Sequence, residues 1–221
     1  MASVVLGLVP NGRLVLYPFG LLATWAHELG HGLGAIVTGN RFVDLEIYRD
    51  LGGVARVAGA DGIGQVIVST AGLIGPALLG AVVMIAGSRA RTAPYVLAVL
   101  AGIIGISIVF WVRNLFGVVA MLAIGAVLFL IARFGSPVVR IVAAQLVAVQ
   151  LALSAWSTRD YLFIKGFERN GFQASDTQKI AEELFLPYWF WGALIGGLSI
   201  VILVWAFWVA WIRPTMEPSA S

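Results

Sequence analysis

The segment His27-Glu28-Leu29-Gly30-His31 holds both of the chain's 2 histidines. On a helix, positions i and i+4 lie on one face, so the two imidazoles can converge on a single ion. Zinc accepts histidine nitrogens at about 2.0–2.1 Å, and a pair at this spacing reaches it without distorting the helix. Glu28 is turned about 100° from His27. That orientation takes it away from ligation and toward the role of general base for water activated at the metal. The competing reading is a polar cluster that joins helices through hydrogen bonds.

A catalytic zinc takes three protein ligands and keeps one position open. With 0 Cys, thiolate sites, thiol nucleophiles, disulfides and iron–sulfur clusters are excluded. No third histidine exists, so the remaining ligand should be a carboxylate. Asp160 is the first candidate: it follows the fifth apolar segment, which runs in the same direction as the first and ends near the depth of His31. Its other reading is an interfacial pair with Arg159. Asp176 is the alternative third ligand, although an Asp in the first turn of a helix already serves to neutralise exposed amides. Asp44, Asp50 and Asp61 read as turn or solvent residues.

The elements that must position these groups follow from composition. Of 221 residues, 60% are hydrophobic and 11% charged, and the mean hydropathy is +0.96. A soluble domain carries about 25% charged residues, so the solvent of this chain is lipid and the fold class is an all-α polytopic membrane protein. About 20 apolar residues cross a hydrocarbon core of about 30 Å. On that rule the chain has about six transmembrane helices, at 14–37, 66–87, 93–112, 115–132, 138–157 and 186–212. Arg140, Gln145 and Gln150 interrupt the fifth. In this setting each of the three ionisable groups in the first span costs at least about 2.5 kcal/mol unless compensated, which favours a metal over a passive cluster. The net charge of +3 is scattered at segment ends, as membrane flanks require. It forms no basic patch, so nucleic acid is not an expected partner.

Residues 1–213 read as a single integral membrane metalloprotease-like domain, with residues 1–12 belonging to the mature sequence and 214–221 forming a disordered tail. Partial alternation in 42–48, turn residues at 50–53 and a second short run at 54–58 predict a β-hairpin after the first span. Its edge can bind an extended substrate by β-augmentation, with Leu45, Ile47 and Val54 as substrate-binding residues. Asn114, beside Arg113 at a membrane boundary, can orient substrate or a ligand, although snorkelling by the arginine explains the pair as well. Residues 158–185 read as a loop and then a short amphipathic helix, opened by the Ser175/Gln178 capping box. Gly30 with Gly34, and Gly192 with Gly196, read as close helix-packing pairs.

His27-Glu28-Leu29-Gly30-His31-Gly32-Leu33, Thr38-Gly39, Gly52-Gly53, Ala71-Gly72 and Gly75-Pro76 together resemble the site-two protease family of intramembrane zinc metalloproteases. The similarity is closest to its compact bacterial branch, without a PDZ domain, and covers roughly residues 14–80. The Asn-Pro…Asp-Gly motif from which that family takes its third ligand has no clear counterpart here, so Asp160 and Asp176 both stay open. The resemblance implies a zinc cofactor, a bacterial plasma-membrane location, and a transmembrane or membrane-adjacent protein substrate cut by metal-activated water. Two other functions remain in play. One is a non-catalytic multi-pass scaffold or small transporter that keeps a buried polar cluster. The other is a metal-dependent enzyme acting on a lipid or prenyl substrate.

Overall fold

The computed structural model describes residues 12–157, 162–168 and 172–213. Asp160 and the tail at 214–221 therefore lie outside the described residues. Among the described residues, seven helices and two antiparallel strand pairs follow in the order α1 (Gly12–Val37), β1 (Arg41–Ile47), β2 (Gly53–Ala58), α2 (Gly62–Ala86), α3 (Ala93–Phe110), α4 (Leu115–Phe134), α5 (Pro137–Ser157), β3 (Gly166–Glu168), β4 (Phe172–Ala174), α6 (Asp176–Glu183) and α7 (Tyr188–Phe207). A π-helical turn, Trp208–Ile212, extends α7.

Helices α2, α3, α4, α5 and α7, the last with its π-helical turn, are long and apolar enough to cross a membrane. The remaining expected span, α1, has 26 residues, about 39 Å at 1.5 Å per residue. It is less apolar because it carries His27, Glu28 and His31, and the other elements shield it. The outward faces of α3 and α4 display residues such as Val99, Val109, Val119 and Leu122, as a lipid-facing surface requires.

Helix α2 is the hub, packing on α1, α5, α6 and α7. Small residues make its crossing with α1 close. A Cβ added at Gly30 would sit 2.4 Å from the Ala71 carbonyl oxygen, and one at Gly34 would sit 2.9 Å from the Ala71 Cβ. No larger side chain fits between these backbones. On the other side of α1, Trp25 is fully buried, and its indole N–H donates to Ser107 Oγ at 2.8 Å, which satisfies its only polar atom. In α5, Gln145 turns inward and donates to the Met84 carbonyl at 3.0 Å. That bond explains how a polar residue is tolerated in an apolar span.

The first hairpin forms where the alternation predicts it, antiparallel, with a register break between Phe42 and Asp44. Its turn uses Leu51 at φ 65, and the Asp50 carboxylate accepts from the Gly52 N–H at 3.0 Å. The hydropathy reading carries the third span through Val112, but the helix stops at Phe110. The residues after it pair with β1 instead: Leu45 N–H donates to the Trp111 carbonyl at 2.9 Å, and Arg113 N–H donates to the Leu45 carbonyl at 3.1 Å. β1 is therefore held along both edges, and β2 is the outer strand. The loop expected before α6 also contains the small antiparallel pair β3–β4, too short for an alternation signal to reveal.

Candidate metal centre

Helix α1 presents His27 and His31 side by side, their Nε2 atoms 3.1 Å apart. His31 is fixed from behind, with its Nδ1 2.9 Å from the Val68 carbonyl oxygen. A carbonyl can only accept, so Nδ1 carries the proton and Nε2 offers its lone pair. Gly72 makes room for that ring, since a Cβ there would lie 2.2 Å from His31 Cε1.

The third vertex comes from α6. Asp176 Oδ2 lies 3.3 Å from His27 Nε2 and 3.2 Å from His31 Nε2, with the Asp176 side chain only 2% exposed. A tetrahedral ion with ligand bonds of about 2.0–2.1 Å spaces its ligand atoms about 3.3–3.4 Å apart. The three observed separations fall within about 0.3 Å of the edges of that tetrahedron, and two imidazoles with one carboxylate are a donor set that zinc accepts.

Local chemistry explains why Asp176 is available. In α6, Ser175 is the N-cap and its hydroxyl accepts from the Gln178 N–H, at 3.2 Å. The Ser175 cap expected from the capping box forms, so Asp176 is not needed to satisfy the Gln178 N–H. Ile180 is fully buried, docking α6 beneath α2 and α7.

Glu28 stands beside this triangle and is not one of its donor atoms. It is buried beneath the first residue of β2: a Cβ on Gly53 would fall 2.6 Å from Glu28 Cγ and Oε1. Glycine at that position lets the strand descend onto the carboxylate. A cavity of about 350 Å³ opens over the four polar side chains. Val54 and Val57 of β2 line one part, Gln173 and Ala174 of β4 another, and Lys179 of α6 a third.

The other expected substrate-binding residues sit elsewhere. Leu45 and Ile47 are 0% exposed and belong to the hydrophobic core. Asn114 is engaged with the hairpin backbone: its Oδ1 accepts from the Ile47 N–H at 3.1 Å, and its Nδ2 donates to the Ile47 carbonyl at 2.6 Å. The cause is the central position of β1, which leaves it no free edge and turns Leu45 and Ile47 into the core. Of the expected hairpin contacts, Val54 alone lines the cavity. Sequence reasoning passed over Lys179 and Gln173; for Lys179, the i,i+3 spacing from Asp176 is the available signal.

The family model described as Peptidase M50B-like matches residues 1–206. No curated protein and no solved structure matches the chain.

Proposed function

The chain belongs to the peptidase M50B-like family, that of the site-two proteases, and from that premise we propose that it is an intramembrane zinc metalloendopeptidase cutting membrane-protein substrates. His27, His31 and Asp176 hold the zinc and Glu28 is the general base. The observation that carries this reading is the donor triangle of Nε2, Nε2 and Oδ2, with edges of 3.1, 3.3 and 3.2 Å. Zinc bound there supplies a Lewis acid that polarises the scissile carbonyl and makes water nucleophilic near neutral pH.

The chain's own groups do the rest. Glu28 takes the proton of the attacking water and passes it to the leaving amine. Val68 holds His31 in the tautomer that aims Nε2 inward. The free edge of β2 binds the substrate as an extended strand, with Val54 and Val57 at the cavity wall. A helical substrate has its amides satisfied internally and must unwind before it can add to that edge. A bacterial plasma membrane suits the resemblance to the compact branch.

The test combines metal analysis with turnover. Purified protein should carry about one zinc per chain, and His31→Ala should lose it. Glu28→Gln should keep the zinc and lose turnover by about 10²- to 10⁴-fold. A scaffold would be indifferent to Glu28→Gln, and a lipid-directed enzyme would turn over lipid and leave peptide intact. Full proteolysis by metal-free protein would end the proposal.

A further inference from the structure

We propose that Lys179 is a further catalytic residue, whose ammonium group stabilises the negative charge that gathers on the scissile carbonyl oxygen. This rests on the metallopeptidase reading above. Asp176 and Lys179 stand three residues apart on α6 and so share a face. Lys179 Nζ lies 3.3 Å from Asp176 Oδ1, while the other carboxylate oxygen faces both imidazoles. The ammonium therefore meets Asp176 through the carboxylate oxygen that is not part of the donor triangle. Among the described residues that line the cavity it is the only Lys or Arg. Its side chain is 42% exposed, so a substrate oxygen can reach it.

Stability is a weak explanation for a cation in this place, because the Lys179 side chain is 42% exposed and water screens its attraction to the carboxylate. Metal retention is a worse one, since a positive charge near the ligands repels a divalent ion. The position suits an anion that forms only during reaction. In hydrolysis the water oxygen bonds to the carbonyl carbon, the π pair moves onto the carbonyl oxygen, and Glu28 takes one proton. The pair then returns, the C–N bond breaks, and Glu28 delivers that proton to the leaving nitrogen, giving a carboxylic acid and an amine. Lys179 donates a hydrogen bond to the oxygen while it bears charge and leaves the cycle unchanged. Such a donor acts on the transition state more than on the bound substrate.

The test uses the full-length, zinc-loaded protein in detergent, with unfolded casein as substrate probe and a phosphinic alanyl pseudopeptide as tetrahedral mimic. Lys179→Met should lower kcat about 100- to 1000-fold with KM nearly unchanged. It should weaken phosphinate binding while leaving zinc affinity, measured by chelator competition, equal or tighter. Lys179→Arg should recover part of both losses. Wild-type kcat in Lys179→Met would overturn the proposal. So would zinc affinity falling in step with activity, because Lys179 would then only hold Asp176 in place. Glu28→Gln separates the two readings: if it is inactive while Lys179→Met is fully active, only the role of Lys179 fails. If Glu28→Gln turns over like wild type, the metallopeptidase reading fails with it.

Discussion

At the scale of single residues, the centre depends on a division of labour between Ser175 and Asp176. Ser175 caps α6 and Asp176 turns to the imidazoles. Asp176→Asn should therefore release zinc, whereas Ser175→Ala should cost about 1 kcal/mol of stability and keep it. Zinc titration alongside thermal melts checks both. Gly72→Ala should also lose metal, because its methyl group would occupy the His31 ring at 2.2 Å. His27, Glu28 and His31 were legible in the sequence because their convergence is local: one helical turn decides it. The choice between Asp160 and Asp176 was not, because the approach of Asp176 to the imidazoles depends on how α6 docks. Span-depth reasoning favoured Asp160, while the Ser175/Gln178 capping box, legible in the sequence and formed in the structure, is what relieves Asp176 of capping.

At the scale of elements, the two hairpin strands have unlike duties. Leu45→Pro removes an N–H that donates to Trp111 at 2.9 Å, so it should detach the hairpin and lower the melting temperature. Val54→Pro distorts the outer strand instead and should reduce cleavage while zinc content holds. Asn114→Ala strips both bonds from Ile47 and should cost about 1–3 kcal/mol, read as faster proteolysis within residues 41–58. The hairpin was legible from its alternation and turn residues. The pairing of β1 with residues 111–114 was not, because Trp111 and Val112 are as apolar as the helix before them, and hydropathy does not distinguish a span's last turn from a buried strand. The charges on the hairpin form a separate set. Tyr48 and Arg56 hydrogen-bond Glu46 and hold its carboxyl below the usual range, which keeps that face ionised and solvated.

At the scale of the whole molecule, the site exists because α1 and α2 approach without intervening side chains. Gly30→Leu would meet the Ala71 backbone, where even a Cβ falls 2.4 Å from the carbonyl oxygen. Separation of the two helices should then displace Val68 from His31 and lose zinc together with stability, measurable as loss of metal before unfolding. Counting apolar stretches made most of the crossings legible, since lipid imposes length and composition directly. The closing of β1's far edge has one more consequence. The sheet can grow only beyond β2, so a captured chain has a single rail to ride on. Sliding by two residues keeps the same side chains facing the metal, whereas a slip of one reverses them. Cuts on one substrate should therefore form a ladder with dipeptide rungs, and mass spectra of the products would display it. Termini one residue apart in equal abundance would mean that no strand is seated on that rail.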